Sequence, residues 1–137
     1  MEIFQVPEDI HLFCVKAKSF PDGVMDAFRQ LHALAPFGSN RKFISLSRPE
    51  KAGGIVYRAG ATELKQGDLQ SHGLEELVVK KGVYQMISIK DFMKDMPAIG
   101  KAFNQLTALP GIDPEGYCLE WYFNKEDVRC MVRLKDK

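Results

Sequence analysis

Hydrophobic positions along the chain follow two rhythms, one of period two and one near 3.6, and the order of the rhythms is used twice. Val24, Phe28, Leu31 and Ala35 recur at helical spacing, and Ile99, Phe103 and Leu106 do the same. Around them, Ala27-Phe28-Arg29-Gln30-Leu31-His32-Ala33-Leu34 and Ala102-Phe103-Asn104-Gln105-Leu106-Thr107-Ala108-Leu109 are identical at six of eight positions. Any two amphipathic helices share apolar spacing; here the flanking segments match as well. Asp22, after Pro21, is the expected amino-terminal cap of the first helix, while Pro36 and Pro110-Gly111 stop the two helices.

A strand-like run precedes each helix: Ile10 to Lys18 before the first, and Glu76 to Ile89 before the second, bent or bulged at Gly82. Two strands follow each. Lys42 to Arg48 and Ile55 to Ala61 flank the turn from Pro49 to Gly54, and Tyr117 to Phe123 and Val128 to Leu134 flank the hairpin loop Asn124-Lys125-Glu126-Asp127. The unit is strand, helix, strand, strand, spanning about 10–62 and about 74–134, with a polar join at 63–73. This predicts one α+β domain over 1–137: duplicated units related by a pseudo-two-fold axis, an antiparallel sheet with two helices on one face, and a central groove. A ferredoxin-like sandwich is the alternative with the same helix count.

Composition sets limits on what such a domain does. The 137 residues are 45% hydrophobic and 27% charged, as in an ordinary globule. Nineteen Lys and Arg stand against 18 Asp and Glu, for a net charge of +1. Neither half carries a basic excess, so the footprint of a nucleic-acid or anionic-membrane binder is missing. The acidic, proline-broken start from Met1 to Asp9 is not a secretory signal, and no apolar run would span a bilayer, so the expected location is cytoplasmic. Cys14, Cys118 and Cys130 each lie in an apolar run without a CxxC knuckle or paired histidines. They read as buried free thiols. No metal and no cofactor is expected.

The run Tyr117-Cys118-Leu119-Glu120-Trp121-Tyr122-Phe123 carries the most chemistry. As a strand it puts Leu119, Trp121 and Phe123 on one face, assigned to the helix-packed core, and Cys118, Glu120 and Tyr122 on the other. A carboxylate mid-strand among aromatics is partly desolvated, which raises its pKa and favours a cationic partner. Arg58, Arg129 or Arg133 would make that partner a structural ion pair. A ligand cation stacked on Trp121 or a tyrosine would make it a binding site, with Met131 and Tyr57 on neighbouring strands. The residues leave both open. His11, His32 and His72 share no motif and read as surface or helix-flank positions. Ser45, Ser47 and Asp91 form no recognisable hydrolytic set, and Gly53-Gly54 is a turn rather than a phosphate loop.

The duplicated helix motif, the strand around Gly82-Val83-Tyr84, and the ending Leu119-Glu120-Trp121-Tyr122 followed by Val128 to Leu134 resemble the GyrI-like small-molecule-binding domain. That domain is the effector-binding half of Rob-like and BmrR-like multidrug-responsive transcription regulators and also occurs alone. The resemblance covers about Ile10 to Leu134. It implies a groove for hydrophobic, often cationic, small molecules around a buried glutamate ringed by aromatics. Glu120 matches the glutamate, and Tyr122, Tyr84, Tyr57, Met131 and Trp121 complete the expected ligand set. The chain has no helix-turn-helix, so the expectation is a stand-alone form with no direct nucleic-acid contact, any transcriptional role passing through a separate partner. Two alternatives come with the family: a small hydrolase of electrophilic compounds with Glu120 as general base on water, and a protein-interaction module such as a gyrase inhibitor.

Overall fold

In a computed structural model, which describes residues 1–38 and 40–136, the chain forms eight strands and two α-helices. In chain order these are β1 (Glu2–Val6), β2 (Ile10–Lys16), α1 (Val24–Leu34), β3 (Phe43–Pro49), β4 (Ile55–Ala61), β5 (Glu75–Val79), β6 (Gly82–Ile89), α2 (Pro97–Thr107), β7 (Cys118–Trp121) and β8 (Val128–Arg133). The fold is α+β, as the pattern predicts. Two compact units partition it: Ile10–Val79 is the first, and Met1–Asp9 with the chain from Lys80 onward is the second.

Each unit is a four-stranded antiparallel sheet with one helix, and the two share a topology. In the first the strand order is β3-β4-β2-β5; in the second it is β7-β8-β6-β1. The outermost strand comes from a different place in the chain each time: β5 follows the rest of its unit, whereas β1 opens the chain. The run expected as one bent strand from Glu76 to Ile89 is therefore two strands in different units. The break has a steric cause. Gly82 has φ 143°, and a Cβ there would lie 2.9 Å from the Arg133 guanidinium. β1 was not anticipated, because acidic residues and Pro7 mask its apolar positions.

The helices show why the two sequence copies agree. α1 buries Ala27 and Leu31 and α2 buries Ala102 and Leu106, identical pairs at equivalent positions. Phe28 and Phe103, also shared, are half-buried beside them. α2 packs this stripe on Val128, Cys130 and Val132 of β8. The expected Asp22 cap does not form: the first residue before α1 is Gly23, no side chain caps the helix, and the Val24 amide donates to the Pro21 carbonyl. The tight turn from Ser19 to Gly23 satisfies the helix start with backbone instead. α2 begins on Pro97, whose missing N–H costs nothing in the first turn.

Two glycines should respond oppositely to an added methyl group. A Cβ at Gly60, in β4, would meet the Ile44 carbonyl oxygen at 2.8 Å and the Cys14 sulfur at 3.0 Å. Gly60→Ala is expected to lower unfolding free energy by about 1–3 kcal/mol. Gly100 lies inside α2 with nothing within 4 Å of its Cβ position, so Gly100→Ala should raise it by about 0.5–1 kcal/mol. Urea unfolding of both variants checks the signs.

Candidate functional site

Glu120 is the third residue of β7 and lies directly opposite Cys130 of β8. Directly opposed residues in an antiparallel pair share a face. Cys130 belongs to the layer under α2, and Cys118 and Tyr122, two residues to either side of Glu120, pack against that layer too. Glu120 is therefore on the helix-covered face of the second unit, 8% exposed. The Tyr122 hydroxyl donates a short hydrogen bond to its Oε1. The Tyr122 ring in turn meets Phe92 edge-on, with centroids 5.4 Å apart.

The alternation along β7 is as expected, but the assignment of its two faces is reversed. Leu119, Trp121 and Phe123 were expected on the helix-packed face; it is Cys118 and Tyr122 that pack on the α2-side layer, with Glu120 between them on the same face. Trp121 meets Phe4 of the unanticipated edge strand β1 at 5.7 Å, in a T-shaped pair on the face away from α2. Period-two patterning separates two sets of side chains without saying which set meets the helix.

This reversal divides the expected ligand set. Glu120 and Tyr122 are together. Met131 is fully buried opposite Leu119 and Met86, on the face away from α2. Tyr84 shares that face, 2% exposed, and its hydroxyl donates to the Lys80 carbonyl at 2.7 Å. Burial pushes the Tyr84 phenol up to about 12. Trp121 lies there as well. Tyr57 belongs to the first unit, where it stacks on Phe20 at 5.7 Å and meets Phe28 edge-on at 6.2 Å.

The three arginines considered as partners for Glu120 direct their charge elsewhere. Arg58 pairs with Glu75 at 2.7 Å, and Arg133 pairs with Asp113 and Asp136, each at 3.0 Å. The Arg129 guanidinium lies 4.0 Å from the centre of the Phe123 ring and 5.4 Å from that of Phe4. Burial pushes the Cys130 thiol up to about 12, with the Glu120 charge adding to the effect, and moves the Cys118 thiol in the same direction for the same two reasons. Cys14, in the first unit, is likewise pushed up to about 12 by burial. All three thiols are free. Among the described residues no cluster of three or more His, Cys, Asp or Glu is placed to hold a metal ion, and no helix is long and apolar enough to cross a membrane.

Sequence reasoning missed Phe92, which sits in a 3-10 turn (Phe92–Lys94) with no periodicity to flag it. Cys130 carried a usable signal: once the β7–β8 hairpin is placed in register, it must face Glu120.

The α+β fold of two sheet-and-helix units has counterparts among solved structures. An integron cassette protein from the mobile metagenome of Vibrio cholerae superposes with TM-score 0.71 at 14% identity, over 98% of this chain and 95% of that one. A protein solved bound to tetraphenylphosphonium gives 0.61 at 13% identity, over 96% and 93%. A Staphylococcus aureus protein named for bacterial transcription regulation gives 0.58 at 12%, over 96% and 97%. At these identities the likeness establishes the shared fold. No protein-family model matches the chain, and no curated protein matches it by sequence.

Two measurements test the site's chemistry. Removing the hydroxyl in Tyr122→Phe takes a donor from a buried carboxylate and should lower unfolding free energy by about 1–3 kcal/mol at pH 7 in urea. A thiol moved from 9.0 to about 12 carries about a thousandfold less thiolate at pH 8, so Cys14 and Cys130 should resist iodoacetamide until the chain is unfolded. Cys118, only partly buried, should label first. Mass spectrometry of the labelled peptides reads the order.

Proposed function

We propose that the chain is a single GyrI-like small-molecule-binding domain that acts in the cytoplasm and takes a hydrophobic organic cation, with Glu120 as the complementary charge. The observation that carries this reading is the placement of Glu120: a carboxylate 8% exposed, on the sheet face that bears α2, hydrogen-bonded to Tyr122, whose ring meets Phe92. In so poorly solvated a setting, a cation with its charge spread over aromatic groups loses little hydration and gains both charge and ring contacts. The tetraphenylphosphonium-bound fold neighbour supports that ligand class, and the neighbour named for transcription regulation supports a link to regulator effector domains. In this reading Tyr122 and Phe92 wall the ligand. Tyr84, Met131 and Trp121 hold the sheet from its other face, and any transcriptional role passes through a separate DNA-binding partner.

Thermal unfolding with tetraphenylphosphonium tests the reading. A ligand at about 100 times its Kd adds roughly 2.7 kcal/mol, which raises the Tm of a chain this size by roughly 5–15 °C. Glu120→Gln keeps the side-chain shape and the Tyr122 acceptor but removes the charge, and should lose most of that rise. No rise in the wild type, or the same rise in both proteins, would sink the reading.

A further inference from the structure

Among the described residues, the buried polar and charged side chains are two: Ser45, 1% exposed, and Glu120. They occupy the same place in the two repeats. Ser45 and Glu120 are 75 positions apart, as are Ala27 and Ala102, and each is the third residue of the strand that follows its unit's helix. Ser45 faces Ala59 as Glu120 faces Cys130. It also lies on the helix side, since Phe43, two residues before it, meets His32 of α1 at 5.2 Å and Tyr57, opposite Ser47, meets Phe28 of α1.

The two positions differ in how their polar atoms are satisfied. Glu120 accepts from Tyr122. The Ser45 Oγ is buried with no hydrogen-bond partner. Alanine would fill nearly the same space without that desolvation cost, so the orphan hydroxyl calls for an explanation. Its surroundings suggest one. Phe43 and Tyr57 border it on the α1 face, and Phe20, stacked on Tyr57, is 43% exposed. The setting combines aromatic walls with one neutral donor.

We infer that the α1 face of the first unit binds an uncharged aromatic compound carrying a carbonyl oxygen, with the Ser45 hydroxyl as the donor to that oxygen. The inference concerns the first unit and an uncharged class of ligand, and it does not depend on the role given to Glu120.

The probes are benzophenone and diphenylmethane, which share two rings and differ by the carbonyl, titrated into the full-length protein and followed by backbone-amide NMR shifts. Wild type should bind benzophenone about fivefold more tightly, the value of one neutral hydrogen bond of roughly 1 kcal/mol, with shifts at Ser45 and Ala59. Ser45→Ala should bind the two compounds equally and melt no lower than wild type. Glu120→Gln should keep the wild-type preference, which separates this inference from the tetraphenylphosphonium result. It is overturned if wild type binds neither compound or both alike, if Ser45→Ala keeps the preference, or if Ser45→Ala melts several degrees lower, since the hydroxyl would then already have a partner in the resting fold.

Discussion

Everything else in each unit depends on one packing constraint: an eleven-residue helix laying an alanine–leucine stripe across a four-stranded antiparallel sheet. The small member of the stripe, Ala27 or Ala102, lets the helix axis come close to the strands, and the large one, Leu31 or Leu106, fills the space one turn further on. Close approach is what buries the strand residues beneath. Once β8 presents Val128, Cys130 and Val132 to α2, the strand beside it must offer its matching set, and Glu120 is turned to the same face with them. Strand register puts the carboxylate on that face, and its hydrogen bond to Tyr122 offsets part of the cost of burying it.

The second unit is assembled from both ends of the chain, and Arg133 secures the joint. Its guanidinium donates twice to the Lys81 carbonyl, at 3.1 and 2.9 Å, while pairing with Asp113 and Asp136. Asp113 is held below the usual carboxylate range, first by the Glu115 amide and then by Arg133. This cluster fixes the chain where it enters β6, and Gly82 is the residue that lets the guanidinium approach so closely. The polar join in the first unit is fixed by the same means: Arg41 forks onto Asp68 at 3.2 Å and donates to the Thr62 carbonyl, while Glu63 accepts from the Leu69 and Gln70 amides. A segment that reads as a linker by composition is held in place through Asp68 and Glu63.

What could be read from the sequence follows from the range of the interactions involved. The repeat was legible because Ala27, Leu31, Ala102 and Leu106 repeat for a local reason, the spacing of one helix face. The pairing of Glu120 with Tyr122 was legible because residues two apart on a strand share a face. β1 was not, since its pairing, Phe4 with Tyr84, is made across most of the chain and its own composition is ambiguous. The cap at Asp22 was lost to a backbone turn that side-chain preference does not encode. Which face of β7 meets α2 was illegible for a deeper reason. Cys118, Glu120 and Tyr122 are no more apolar than Leu119, Trp121 and Phe123, so hydrophobicity pointed the wrong way; the register that sets Glu120 opposite Cys130 places them on the α2 side.

Duplication puts two different polar residues into one structural position, and their contrasting fates follow from side-chain reach. Residues two apart on a strand are separated by about 6.7 Å. A glutamate carboxylate and a tyrosine hydroxyl each extend far enough to close that gap, so Glu120 and Tyr122 satisfy one another along β7. In the first repeat the equivalent residues are Ser45 and Ser47. A serine oxygen lies one bond beyond Cβ, so two serines at this spacing cannot meet, and the Ser45 hydroxyl is left buried and unbonded. The same backbone therefore yields a carboxylate hydrogen-bonded along its own strand in one unit and an unmet donor in the other. A cation competing for Glu120 must offer more than Tyr122 already gives. An acceptor reaching Ser45 displaces no hydrogen bond, so one neutral oxygen is enough there.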